Sequence, residues 1–401
     1  MKQCPRILIV AAFALLACAG AQRSARADSI FALNLIGERV DVGDARIAAL
    51  GGFVQTVDDS LGVLQYNPAA LAWMKRFSFG AAGYFTSDVN RSQDLDQRNN
   101  GTTLTQLLFA FPVYHQRVTA GVGFRGRYDP DGEFVVPGVT SEGDPFNDHY
   151  ERRGGLFAVP IQVAFDAGNY AKIGLFYSLE RGKIEETWLK EFEGNNADAS
   201  SDRERVFRGH CLGGGFVSRP IPRLSIGLTY ESQINYDVDV TETFTSSSAD
   251  SNSTETAKLP ARMTVSAAYR LSRDMTVFAG GSLCDFRNFE GMGFPDDRLA
   301  QEEIGSLGIE YRLGESRVPL RGSFTYEQLP YTMPTGENIK RMGFAVGTGR
   351  IMRGGRGKLD VALQFANTGS VSTNNYSDRS VRFYLSITGS EDWKRKRDRR
   401  E

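Results

Sequence analysis

From about Phe77 to Thr388 the chain repeats one theme, apolar residues at every second position followed by a turn. Leu359, Val361, Leu363 and Phe365 alternate with Asp360, Ala362, Gln364 and Ala366. Val381, Phe383, Leu385 and Ile387 alternate with Arg382, Tyr384, Ser386 and Thr388. The same spacing recurs from Leu224 to Glu231, from Met263 to Leu271, from Ile173 to Leu179, from Leu307 to Leu313 and from Val318 to Tyr326. Side chains of a strand alternate between its two faces, so each run predicts a strand with one apolar face. About fourteen such runs are present, most of them near the 9–11 residues that a tilted strand needs to cross a bilayer.

The connections sort by length. Short ones fall at His115-Gln116, 166–169, 218–222, Ser272-Arg273, 314–316 and 352–356. Long polar ones fall between them, at 86–103, 128–153, 182–204, 237–257, 286–302, 329–338 and 368–378. Strict alternation of short and long is the pattern of outer-membrane barrels, with short periplasmic turns and long external loops. The predicted fold is therefore all-β, a 14-stranded antiparallel transmembrane β-barrel over residues 77–392. Its lumen face would carry Arg125, Arg127, Glu231, Arg270, Glu310, Arg312, Arg321, Asp360 and Arg382. Charges there can meet water, each other or a plug, whereas on the outer face they would meet lipid.

Residues 28–76 do not alternate. Gly-rich, partly helical sequence runs through Gly43-Asp44-Ala45-Arg46, Leu50-Gly51-Gly52, Asp58-Asp59 and Asn67-Pro68-Ala69-Ala70-Leu71. Asn67 can cap free N–H groups and Pro68 suits a first helical turn, so a helix is predicted to start there. On capping alone, Asp at 67 would serve as well as Asn. The segment reads as a small N-terminal plug, and Gly51, Gly52, Asp58, Asp59, Asn67, Pro68 and Ala69 form its motif.

Composition narrows the class. A formal net charge of -1 over 401 residues leaves no basic face for nucleic acid. Lys2 and Arg6, the apolar run Ile7–Ala17 and Ala25-Arg26-Ala27 read as a secretory signal peptide over residues 1–27, cleaved after Ala27. Leu15-Leu16-Ala17-Cys18 also resembles a lipobox, which would lipidate Cys18 instead. Beyond residue 27 only Cys211 and Cys284 remain, read as apolar thiols with a disulfide as the alternative. No run approaches the roughly 20 apolar residues of a spanning helix. Residues 393–401 form a basic periplasmic tail, either simply solvated or, with Trp393, resting on anionic headgroups.

The stretch from Gly43 through Ala72 resembles the N-terminal hatch of the FadL-like outer-membrane superfamily, the long-chain fatty acid transporters. It looks especially like the PorV/PorQ-type and related members. The resemblance implies a 14-stranded barrel and a hydrophobic or amphipathic small-molecule cargo. For PorV-like members it implies that secreted proteins are held for a secretion or surface-attachment machine.

No enzymatic chemistry, cofactor or metal site emerges. His115, His149 and His210 lack zinc-ligand spacing, and no nucleophile elbow is present. Asp88, Asn90, Ser92, Asp94 and Asp96 alternate like a calcium loop, but Gln93 and Asn99 stand where Gly and Glu belong, so a solvated external loop is expected. The expected function is an outer-membrane channel or carrier gated by the plug. Its partners would be outer-membrane lipid and a hydrophobic small molecule, with no nucleic acid. Ile30, Phe31, Leu33, Leu35 and Ile36 would line a binding pocket or pack the plug against the wall. The alternative is the PorV-like interaction protein, with secreted proteins as partners.

Overall fold

The computed structural model describes residues 29–391, apart from 41–42, 57–58, 93–95, 115–116, 142, 169, 193–197, 246–250, 315–317, 334–335 and 353. The signal peptide, Cys18, Asp58, His115 and the basic tail therefore lie outside the described residues.

Fourteen antiparallel strands close into a barrel. In chain order they are β1 Phe77–Arg91, β2 Asp96–Tyr114, β3 Val118–Asp129 continued by Gly132–Val139, β4 Pro145–Asp166, β5 Ala171–Phe192, β6 Ala199–Ile221 and β7 Leu224–Glu231 continued by Ile234–Phe244. The remainder are β8 Ser251–Leu259 continued by Arg262–Arg270, β9 Met275–Asp285, β10 Gln301–Leu313, β11 Val318–Thr332, β12 Asn338–Ile351, β13 Gly357–Ser370 and β14 Tyr376–Glu391. Each pairs with its neighbour, and β14 closes on β1 through a ladder running from Glu391↔Phe77 to Ser377↔Arg91. All fourteen lie where the alternation of the sequence places them.

The membrane faces follow the predicted register. On β10 and β11, Leu307 is 64 % exposed and Phe324 50 %, while the intervening Ser306 and Ser323 are each 6 % exposed. Phe365, Phe383, Leu385, Met263 and Val265 likewise point outward, giving the lipid-facing apolar band of a transmembrane barrel. Inward lie Arg125, Arg127, Glu231, Glu310, Arg321, Asp360 and Arg382, all buried. Arg270 and Arg312 are on the lumen side but exposed near the short-turn rim.

The long loops differ from expectation. Most of their residues are paired strand: β1 and β2 pair as far as Arg91↔Asp96, and β4, β5 and β6 run 22, 22 and 23 residues. That is about twice a membrane crossing, so the wall rises well outside the bilayer as a second storey. There the polarity inverts. In the upper half of β7, Ile234, Tyr236, Val238 and Val240 point into the barrel and Asp237 and Asp239 point out. The two-residue break at Ser232-Gln233 makes this switch, because a slip in phase swaps which face each side chain occupies. The outer face looks polar because water, not lipid, surrounds it, and so the sequence pattern there resembled a loop. Asp88 and Asn90, expected in a solvated loop, are lumen-facing strand residues for the same reason.

Candidate functional site

The plug threads the lumen from the outer storey to the short-turn end. A 3-10 turn, Ile30–Leu33, sits highest, its first amide donating to Asn90 Oδ1 at 3.0 Å. Glu38–Arg39 then pairs with Asp129 and Tyr128 of β3. The short helix α1, Ala45–Ala49, lies lower, capped by Asp44, which accepts the Ile47 amide at 2.9 Å. It ends at Gly51 and Gly52, whose φ of +97° and +80° a side chain would resist. Gly52 N–H returns to the Ile47 carbonyl at 2.9 Å. A second 3-10 turn, Pro68–Trp73, packs on β4, β5 and β6.

The Asn67-Pro68-Ala69 step caps this turn, as its residue types predict. Asn67 Oδ1 accepts the Ala69 amide at 2.9 Å. The same side chain does something its sequence position did not disclose: Nδ2 donates to the wall carbonyls of Phe216 and Leu228, at 3.1 and 3.2 Å. Capping alone would let Asp stand in for Asn, but a carboxylate has no donor for those carbonyls. The wall is cut back to admit the motif. A Cβ on Gly215 would lie 1.9 Å from Asn67 Oδ1, and one on Gly174 would lie 2.3 Å from the Ala69 nitrogen. The glycine run Gly213–Gly215 thus serves close approach of plug to wall.

Two buried ionic clamps fasten the plug, and a third buried ionic cluster, within the wall, braces it. In the lowest, Arg46 bonds Glu310 at 2.9 Å and Asp59 at 3.0 Å, and Lys358 reaches Asp59, Asp44 and Asp360 at 3.0, 3.2 and 3.0 Å. Arg321 joins Glu310 to Asp360. Burial works to raise the Asp59 carboxyl, and Lys358 and Arg46 more than offset this, holding it well below the usual range. In the wall cluster Arg127 lies between Glu180 and Glu231, at 2.8 and 2.9 Å, while Arg125 stacks on the plug's Tyr66. In the other clamp, Glu38 is held by Arg341 and Arg382. Burial again opposes its charge, but the two guanidiniums prevail and set the carboxyl at about 2. Breaking one partner of such a cluster strands the others, typically at 3–5 kcal/mol.

Of the five apolar plug residues singled out in the sequence, Phe31, Leu35 and Ile36 are buried in one cluster with Tyr128, Leu156, Phe207 and Tyr331. The Tyr331 hydroxyl donates to the Phe31 carbonyl at 2.7 Å, and Arg152 donates to the Leu33 carbonyl at 3.0 Å. Leu33 packs against Gly132. Ile30 alone of the five lines a cavity of about 400 Å³, together with Asn90, Gln97, Phe134, Val136 and Tyr376. Cys211 and Cys284 are free thiols buried in the same cluster, so no disulfide joins them.

The cavity coincides with a break in the wall. Pairing between β2 and β3 runs up to Gln106↔Arg125 and stops. Above it the free edge of β3 is taken by the plug at Glu38–Arg39. Two cavities deeper against the plug measure only about 20 and about 30 Å³, room for a water molecule or two.

Fold and site together define a transmembrane β-barrel whose lumen is occupied by its own N-terminal segment. A family model described as BamG matches residues 4–398, and the chain belongs to that family. Among solved structures, the Ralstonia pickettii toluene transporter TbuX is similar at TM-score 0.61 and 15% identity, covering 87% of this chain and 98% of that one. The P. putida toluene transporter TodX gives 0.58 and 13%, covering 88% and 100%. The CymD monoaromatic hydrocarbon channel gives 0.56 and 14%, covering 90% and 99%. No curated protein sequence matches the chain.

Proposed function

We propose that this protein is an outer-membrane channel or carrier for hydrophobic or amphipathic small molecules, gated by its N-terminal plug. One observation carries the reading: the cavity of about 400 Å³ lies where the β2–β3 ladder is interrupted and the plug substitutes for wall. Its lining mixes Phe134, Val136 and Tyr376 with Asn90 and Gln97, as a site for an apolar molecule with a few orienting polar groups requires. A molecule held there touches Ile30, the uppermost described turn of the plug. Displacing residues 30–39 would open the β3 edge and lead inward. The cargo classes of the similar structures, toluene and monoaromatic hydrocarbons, agree with an apolar ligand of this size. The test is uptake of a radiolabelled monoaromatic hydrocarbon and of a long-chain fatty acid by cells lacking their own transporters. The chain should support uptake of at least one, and Val136→Trp, which fills the cavity, should abolish it. No uptake of either, in cells carrying folded protein in the outer membrane, overturns the reading.

A second reading is an interaction protein that holds secreted proteins. The tall outer storey favours it, since its outer face presents Lys183, Glu185, Glu204, Arg208 and Asp239. Photo-crosslinkers at positions 183 and 208 should then trap a secreted protein in cells, and Val136→Trp should leave that capture intact.

A further inference from the structure

The outer storey holds two buried guanidiniums that share a single carboxylate. Arg152 on β4 and Arg205 on β6 are 2 % and 5 % exposed. Both face Glu186 of β5, with Arg152 Nε 3.2 Å from Oε1 and Arg205 Nη1 2.6 Å from Oε2. Among the described residues no other carboxylate pairs with either of them. Arg203 stands 3.9 Å from the same Oε2, but Glu242 supplies its counter-charge. Arg205 Nε meets no acceptor, and Arg152 Nε is out of line for a hydrogen bond to Glu186. Burial lowers the Arg152 guanidinium from its ordinary value and Arg205 adds to this, with Glu186 opposing them only in part. A buried charge left unbalanced is costly enough to favour a partner of opposite sign.

Aromatic rings stand beside this pair. Arg152 is opposite Glu186 and, two residues nearer the top on the same inward face, Tyr150 is opposite Trp188. The Tyr150 ring meets Trp188 edge-on at 5.4 Å between centroids and Phe134 at 5.5 Å. Trp188 is 47 % exposed, whereas Phe134 lines the cavity of about 400 Å³. On its other side Arg152 donates to the Leu33 and Leu35 carbonyls of the plug. Leu35 is held there at φ +50°, a left-handed conformation that a leucine resists. One side chain thus touches the plug, the shared carboxylate and the ring-lined approach. We propose that Arg152 and Arg205 bind the carboxylate of a planar aromatic acid whose ring lies against Tyr150 and Trp188, and that this binding draws Arg152 off the plug. A carboxylate brings two acceptor oxygens to the guanidinium N–H groups, and its ring can meet the two aromatic side chains edge-on or offset. Once Arg152 turns to the ligand, the Leu33 and Leu35 carbonyls lose their donor, the turn at Leu35 relaxes and the upper end of the plug comes free. The inference rests on the channel reading in taking the plug for a gate, and it names the class of molecule that would work that gate. A neutral hydrocarbon lacks the charge, and an alkyl acid lacks the ring.

The test uses the purified full-length protein in nonionic detergent. Calorimetric titration compares 2-naphthoate with 2-naphthol, which has the ring without the charge, and with octanoate, which has the charge without the ring. The two controls should bind at least 10-fold more weakly than 2-naphthoate. Arg205→Gln should weaken 2-naphthoate at least 10-fold, and Trp188→Leu, at an exposed position, several-fold. Hydrogen exchange of the amides at 33–37 should speed at least 10-fold on adding 2-naphthoate, with the β4–β5 ladder unchanged. Arg152→Gln should show the faster exchange before any ligand is added. Octanoate or 2-naphthol binding as tightly as 2-naphthoate overturns the ligand class, and undiminished binding by both Arg205→Gln and Trp188→Leu overturns the site. Binding that leaves exchange at 33–37 unchanged overturns the release of the plug. None of these readouts needs transport. Hydrocarbon uptake by a protein that binds no 2-naphthoate would sink this inference and leave the channel standing, whereas binding with plug release but no uptake of any molecule would leave the site and sink the channel.

Discussion

Asn67→Asp should be at least as damaging as Asn67→Ala, the reverse of what helix capping alone requires. Alanine removes the acceptor for the Ala69 amide and the two donor bonds to the Phe216 and Leu228 carbonyls. Loss of a cap costs roughly 0.5–2 kcal/mol, and each lost neutral hydrogen bond roughly 0.5–1.5 kcal/mol. The expected total is about 3 kcal/mol, or roughly a 100-fold rise in the opened population of the Pro68–Trp73 turn. Aspartate keeps the cap. It replaces the donor Nδ2, however, with a charged oxygen about 3 Å from two carbonyl oxygens, in a site with Asn67 fully buried. Hydrogen exchange of the amides at 69–73, measured in detergent micelles, reads this opening directly, and leakage of a small solute from liposomes reads its consequence. Both variants should speed exchange about 100-fold while the β5–β6 ladder stays protected. Wild-type protection in Asn67→Asp would show that the wall contacts carry nothing and that the motif is only a cap.

Three further outcomes follow from the wall and the clamps. Leu363→Arg should lower folding yield by roughly 2–4 kcal/mol, whereas Gln364→Arg should not, because Leu363 stands between outward Val346 and Phe383 while Gln364 accepts the Tyr384 hydroxyl in the lumen; equal yields on heat-modifiability gels would refute the register. Lys358→Ala leaves Asp44, Asp59 and Asp360 without their shared cation, and exchange at 45–50 should accelerate by an amount equivalent to roughly 3–5 kcal/mol. Glu38 is held at about 2 against an ordinary 4.5, so its clamp is fully present above pH 4.5 and is lost as pH falls toward 2; solute leakage should rise across that window, and Glu38→Gln should flatten the rise.

The barrel was legible because lipid imposes a simple rule on it. Leu307, Phe324 and Leu385 must face hydrocarbon while Ser306, Ser323 and Ser386 must not, and that alternation is written in the order of residues. The outer storey obeys the same period with the faces exchanged, so Ile184 and Val238 fell within stretches read as polar loops. The plug motif was visible as a set of glycines, an acidic residue and a cap, but not its partners. Asp59 meets Lys358 across almost the whole chain, and Asn67 meets carbonyls whose residue types carry no information about the contact.

The inversion of polarity between the two storeys means that one continuous hydrogen-bonded cylinder is soluble in two different solvents. Its lower ring is held together by the hydrocarbon around it and is indifferent to water structure. Its upper ring is a miniature globular protein, with Phe207, Tyr236, Phe286 and Phe289 as its oil drop, and it should respond to urea, heat and cold as globular domains do. The uppermost turn of the plug contributes Phe31 to that drop. The crown thus depends for its own cohesion on the segment that blocks it, and a conformation in which that segment has left is also one in which the crown has lost part of its core.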